Sequence, residues 1–186
     1  MADEIRSERL VLRSLRASDA ERVHAYRSDP EVARFQSWDI LSLDAVRAYI
    51  AEQDELRPTE PGWYQLAIAE LATDHVIGDL GVHILESDPR QVEIGFTLAP
   101  DAQRRGYASE AVRAVLDHLF GALGKHRVTA STDPRNARSI ALLRRVGFRL
   151  EAHHLESLWF KGAWADDLIF ALLRSEWPIA SAGRPD

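Results

Sequence analysis

The chain contains no cysteine. That absence excludes disulfides, thiolate metal sites and a cysteine nucleophile. No apolar run reaches the ~18 residues of a membrane-spanning helix. The opening, Met1-Ala2-Asp3-Glu4-Ile5-Arg6, is polar and acidic, without the apolar stretch of a signal peptide. Positive charge is not in excess either: 23 Lys and Arg against 29 Asp and Glu give a formal net charge of −6. That sign disfavours general nucleic-acid binding and suits a cationic acceptor. There is no repeat, linker or low-complexity segment, and no lysine-bearing G-x-x-x-x-G-K-S/T loop. A cytoplasmic protein with neither membrane nor nucleic-acid partner is the expectation.

What is present organises around Glu93 to Phe120. Val92, Ile94, Phe96 and Leu98 alternate with Glu93, Gly95 and Thr97, the pattern of a half-buried strand. Ala108, Ala111, Val112, Val115, Leu116, Leu119 and Phe120 fall on one face of a helix, with Glu110, Arg113 and Asp117 opposite. Between them lies Gln103-Arg104-Arg105-Gly106-Tyr107-Ala108. The first amides of a helix have no partner inside it, and the macrodipole there favours anions. Gly106 and Ala108 leave room for close approach to the backbone, and Arg104 and Arg105 add charge. The residues alone leave two readings open: a phosphate site, or a plain strand-to-helix connection.

The rest reads in order as a strand over Arg9–Leu15 and a helix capped by the Ser18…Glu21 box that stops near Asp29-Pro30. A loop follows over 34–40, then a helix from Ser42 to about Arg57-Pro58. Strands occupy Trp63–Glu70 and Val76–Leu85, with a hairpin loop to Arg90. Gly121 and Gly124 bracket the end of the central helix. A strand over His126–Asp133, a short helix closed by Gly147, and two strands joined at Lys161-Gly162 complete the pattern. With 186 residues, 46% of them hydrophobic, one core is the expectation: a single domain over 1–177 and a loose polar tail over 178–186.

Two motifs carry a resemblance. Gln103 to Ala108 resembles the Q/R-x-x-G-x-G/A pyrophosphate loop of the GCN5-related N-acetyltransferase (GNAT) superfamily, with alanine in place of the last glycine. Asn136-Ala137-Arg138-Ser139-Ile140-Ala141-Leu142-Leu143-Arg144-Arg145-Val146-Gly147-Phe148 resembles its N-x-x-(A/S)-x-x-L…G-F helix. The opening Arg9-Leu10-Val11-Leu12-Arg13 and the closing strand into Trp177 are similar to the ribosomal-protein alanine N-acetyltransferase branch. The resemblance implies an α/β (α+β) mixed sheet in the acyl-CoA N-acyltransferase fold, order β-α-α-β-β-β-α-β-α-β-β. It implies that the fourth and fifth strands splay apart to admit acetyl-CoA, and that acetyl passes directly to a primary amine, a protein N-terminus or a small molecule.

The same resemblance assigns roles. The amides of Arg105, Gly106, Tyr107 and Ala108 cradle the pyrophosphate, with Gln103, Arg104 and Arg105 beside it. Phe96, Thr97 and Leu98 bond the pantetheine arm through their main chain. Asn136 contacts that arm or serves as an N-cap; Arg138 reaches the phosphates or is solvated. Many members carry a tyrosine acid where Leu143 stands here. Ser139, one turn earlier, is the alternative donor to the departing thiolate, unless its hydroxyl bonds a backbone carbonyl. Glu93 is the candidate base. Asp79 and His83 share a strand face and are candidates to line the acceptor site, as are Phe35 and Trp38, which can stack on a cation or plug the core. His153-His154 point to opposite faces and make no metal site. A non-catalytic acyl-CoA sensor is the alternative function, and a homodimer is compatible with edge strands near the C-terminus.

Overall fold

The computed structural model of the chain describes residues 4–38, 42–54 and 60–178. Its elements run β1 (Glu4–Arg6), β2 (Leu10–Ser14), α1 (Ala20–Arg27), α2 (Pro30–Ala33), α3 (Leu43–Asp54), β3 (Gly62–Glu70), β4 (Val76–Ile84), β5 (Gln91–Leu98), α4 (Tyr107–Asp117), β6 (Arg127–Thr132), α5 (Ala137–Val146), β7 (Arg149–Phe160) and β8 (Ala163–Leu173). The strands form one mixed sheet in the order β1-β2-β3-β4-β5-β6-β8-β7. The expected loop end at Asp39-Ile40, the helix end at Arg57-Pro58, the connector start at Thr59 and the expected tail after Pro178 lie outside the described residues.

Strand alternation divides the sheet into two packing faces. Leu66, Leu80, Val82, Val92, Ile94 and Phe170 meet Val112, Val115 and Leu116 of α4, Leu119 just after it and Leu143 of α5. On the reverse face Val11, Ala67 and Ala69 meet Val23 and Tyr26 of α1 and Val46 and Ile50 of α3. Each large apolar side chain so buried contributes roughly 1.5–3 kcal/mol. The periodicity of the central helix therefore reads correctly as one buried stripe.

Four local expectations are corrected. Glu4–Arg6 is a strand, paired antiparallel with β2; three residues are too few for alternation to show. The Ser18…Glu21 capping box does not form. Instead Asp19 accepts from the Arg16 amide at 2.8 Å and from buried Arg13 at 2.8 Å, because the arginine needs a carboxylate beside it. Asp29-Pro30 does end α1, but it also starts α2, the Asp29 carboxylate accepting from the Glu31 amide at 2.8 Å. Gly121 lies inside a π turn, His118–Ala122, that extends α4, while Gly124 closes it at φ +59°.

The feature that creates a site is the parting of β5 from β6. Their parallel pairing covers Gln91↔Arg127, Val92↔Val128 and Glu93↔Thr129 and then stops. Toward β4, β5 stays paired as far as Leu98. The stretch Ile94–Leu98 thus has one main-chain edge without a neighbouring strand, and α4 begins at the far end of the gap.

Candidate active site

The turn before α4 has the geometry of an anion grip. Arg104 (φ +66°) and Gly106 (φ +83°) are left-handed, and Gly106 sits at the helix N-cap. This reversal turns successive amides outward. The Glu110 amide reaches back to the Gly106 carbonyl at 3.1 Å, which leaves the first-turn amides of Tyr107 and Ala108 with no partner inside the helix. Gly106, Arg104 and Arg105 are exposed.

Three braces hold the turn. Gln103 donates to the Leu98 carbonyl at 3.1 Å and accepts from Arg138 at 2.9 Å. That chain ties the end of β5 to the start of α5. Arg9 donates to the Arg105 carbonyl at 3.2 Å, lies 4.5 Å from the centre of the Tyr107 ring, and pairs with Glu110 at 2.6 Å. Ser7 and the Arg9 amide also donate to Glu110, at 2.7 and 2.8 Å. Burial pushes the Glu110 carboxyl up, and these hydrogen bonds outweigh it, holding it below the ordinary range. Tyr107 completes the set by donating to Glu70 at 3.2 Å.

At the other end of β5, Glu93 stands on the last row before the strands part. The row runs Trp63, His83, Glu93, Thr129 across four strands. His83 Nδ1 lies 3.8 Å from Glu93 Oε2. One row inward Gly81 faces Gly95. A Cβ built on Gly95 meets nothing within 4 Å, so Gly95 borders open space on this face. Thr97 is buried on the next row.

Asp79 does not line that space. It is 1% exposed and accepts from Tyr26 at 2.5 Å, Arg27 at 3.0 Å and Gln65 at 2.6 Å. The expectation that it touches an acceptor is corrected: burial beneath α1 leaves its oxygens fully used. Burial works against the Arg27 charge, but the Asp79 carboxylate outweighs it and holds the guanidinium above its ordinary range. Burial and the same carboxylate push the Tyr26 phenol well up. Trp38 and Tyr49 lie 4.4 and 5.0 Å from that guanidinium. The cation on which Trp38 stacks is thus the protein's own Arg27, while Phe35 stands 5.1 Å from Arg34. Lys161, at the β7–β8 turn, donates to the carbonyls of Ala33 and Trp38 at 2.8 and 3.1 Å and pins this loop from above.

In α5, Asn136 is the N-cap, accepting from the Ser139 amide at 3.2 Å. The Ser139 hydroxyl makes no hydrogen bond among the described residues, and Ser139 and Glu93 make none to each other. Leu143, where a tyrosine acid was sought, is 1% exposed and belongs to the core. His153 pairs with Asp166 at 2.8 Å. A further carboxylate on the Glu93 face is Asp167, opposite His154; burial pushes its carboxyl up.

Residues 9–149 match the acetyltransferase (GNAT) domain family. The chain belongs to the GNAT family. An uncharacterized N-acetyltransferase p20 of Bacillus licheniformis is 31% identical over 172 residues, 92% of this chain and 96% of that protein. The [ribosomal protein uS5]-alanine N-acetyltransferase of Escherichia coli is 31% identical over 84 residues, 45% of this chain and 43% of its own. Among solved structures, RimL, a ribosomal L7/L12 alpha-N-protein acetyltransferase in complex with coenzyme A, superposes with a TM-score of 0.81 at 20% identity, covering 91% of this chain and 97% of that one. This GNAT protein is an N-acetyltransferase, an enzyme that moves acetyl to an amine, and its relatives include ribosomal-protein N-acetyltransferases. The family uses acetyl-CoA. No helix among the described residues is long and apolar enough to cross a membrane.

Trp63, Arg9 and Arg27 pack around the candidate site without a sequence pattern that marks them. Trp63 reads in the sequence only as the start of a strand, and its place beside His83 appears with the β3–β4 register. Arg9 was read only as part of an opening motif. Arg27 left no trace, since its partners come from β4 and from the loop after α2.

Proposed function

We propose that this GNAT enzyme holds acetyl-CoA along the free edge of β5, with the pyrophosphate on the 103–108 turn. The observation carrying this reading is the continuity of three features. An unpaired main-chain edge, Phe96–Leu98, runs directly into outward amides at Arg105–Ala108, with Gly95 leaving open space beside them. An extended amide-bearing arm ending in a diphosphate matches that sequence of donors and acceptors. Arg104 and Arg105 add positive charge; Gln103 and Arg138 hold the turn; the Asn136 carboxamide nitrogen, which makes no hydrogen bond among the described residues, serves the arm.

Glu93 takes the proton from the acceptor ammonium, and the freed amine attacks the thioester carbonyl. The N–C bond forms as the C–S bond breaks. Ser139, whose hydroxyl makes no hydrogen bond among the described residues, passes its proton to the departing sulfur and regains one as the acylated nitrogen sheds its surplus proton. A β5 amide beside Gly95 serves the developing oxyanion. Phe35 and Trp38 border the acceptor side, and His83 stands behind Glu93. The acceptor is a primary amine of a protein N-terminus or a small cation, in keeping with the negative net charge. Thiol release from acetyl-CoA, followed with and without Ala- and Ser-starting peptides and polyamines, tests this. Coenzyme A binding with no amine-dependent thiol removes the catalytic assignments; no coenzyme A binding removes the site. The homodimer reading rests on β7, the sheet's outer strand, which exposes Leu155 and Trp159; a monomer mass by light scattering discards it.

A further inference from the structure

His83 Nδ1 is buried and has no hydrogen-bond partner among the described residues. A buried polar atom left unpaired costs about 1–3 kcal/mol, so its surroundings mark a function or a missing partner. The nearest acceptor is Glu93 Oε2 at 3.8 Å, and both side chains are part-exposed at 28% and 32%. A small turn of the Glu93 side chain closes that gap to the about 2.8 Å of a hydrogen bond.

The ring of His83 is held for this contact. Trp63 stacks on it with centroids 4.6 Å apart and planes at 10°. Trp63 in turn lies across Gly81: a Cβ built there would meet its ring carbons at 3.1 and 3.3 Å. A glycine at 81 is thus what lets the indole lie flat. Among the described residues Glu93 is the one charged group that pairs with His83. The other titratable groups on this face are Asp79, Arg27, Tyr26 and Tyr49, whose Asp79–Arg27 ion pair is closed on itself, and Asp167, which stands opposite His154 on β7.

We infer that Trp63, His83 and Glu93 form a positioning unit for the acetyl-transfer reaction, in which His83 Nδ1–H donates to one Glu93 oxygen and aims the other at the acceptor ammonium. His83 acts through Glu93 and does not touch the acceptor. The inference rests on the assignment of Glu93 as base, but its geometry is measurable without any acceptor. The ammonium's proton passes to the free Glu93 oxygen, and the attack and thiol release follow as above with no additional reactant.

The decisive measurement is the tautomer of His83, read by long-range proton–nitrogen NMR on histidine-labelled protein at alkaline pH, with coenzyme A titrated into the same sample. The wild type should carry the proton on Nδ1, and Glu93→Ala should move it to Nε2, since the tautomer follows the partner. A proton on Nε2 in the wild type, or a tautomer unmoved by Glu93→Ala, overturns the inference. If coenzyme A fails to bind, the acetyl-CoA site falls instead, while the tautomer still answers for the unit. With spermidine and an Ala-starting hexapeptide as probe amines, His83→Ala should lower kcat on the order of 10-fold or more and leave the KM for acetyl-CoA unchanged. His83→Gln, which keeps a donor, should recover most of that loss. A raised acetyl-CoA KM with kcat intact, or no rescue by glutamine, counts against the assignment.

Discussion

At its C-terminal end β5 leads into the turn proposed to hold the diphosphate, which is built of main chain: two left-handed residues and a helix start, all within 103–108. At its N-terminal end it places Glu93 on a row of side chains from β3, β4, β5 and β6, with the closed Tyr26–Asp79–Arg27 cluster further along the same face. Local geometry builds the first and needs only a brace such as Arg9. The second exists only once distant strands have paired. A substitution at the first end should therefore act through cofactor affinity, and one at the second through turnover.

The largest effect is expected at the side-chain end. Glu93→Gln should lower kcat by about 10²–10⁴-fold with coenzyme A affinity unchanged, as calorimetry would show; equal losses in both would erase the distinction between the ends. Gly106→Val places a β-branched residue at φ +83° and should weaken coenzyme A on the order of 100-fold, about 2.7 kcal/mol. Wild-type affinity in that variant would show that the turn is not the grip. Gly95→Val adds bulk where a Cβ meets nothing. Its melting temperature should hold while turnover drops roughly 10-fold or more through lost access, and a large drop in melting temperature would mean that the space is not open.

Arg9→Ala sharpens the comparison further. It should raise the acetyl-CoA KM by roughly 10-fold, about 1.4 kcal/mol, and leave the acceptor KM alone, because it braces only the turn. The smallest effect is remote from both ends. Arg127, with Arg149 assisting, lowers the Glu151 carboxyl from the ordinary 4.5 to about 2. A depressed carboxyl contributes stability present above its unfolded value and lost as pH falls through the folded one. Thermal melts from pH 5 to 2 should show Glu151→Gln losing less stability on acidification than the wild type.

The same contrast explains what the sequence could show. The α4 stripe is local, so spacing exposes it, and the 103–108 turn and Asn136 are local enough to be met as motifs, though the residues alone leave their roles open; of the strands and α-helices described, only β1 and the brief α2 are absent from those expected. Asp79 illustrates the opposite case. Alternation placed it on the correct face, but only the packing of α1 over that face shows that Arg27 and Tyr26 consume it. Gly81 likewise looks like any strand glycine until Trp63 is found lying across it. Ser18 and Glu21 fit a capping pattern, yet the buried need of Arg13 for a carboxylate decided that Asp19, not Ser18, would organise the start of α1.

The gap beside Ile94–Leu98 has a consequence for the life of the molecule as well as for its chemistry. A bare hydrogen-bonding edge is a template for any extended chain that reaches it. An arm lying in the gap would occupy that template, and a ligand present at 100 times its dissociation constant adds about 2.7 kcal/mol to the folded state. The cosubstrate would then double as a folding ligand: in a cell starved of it, the protein should be lost to aggregation and proteolysis sooner, even where no acetyl group is being transferred.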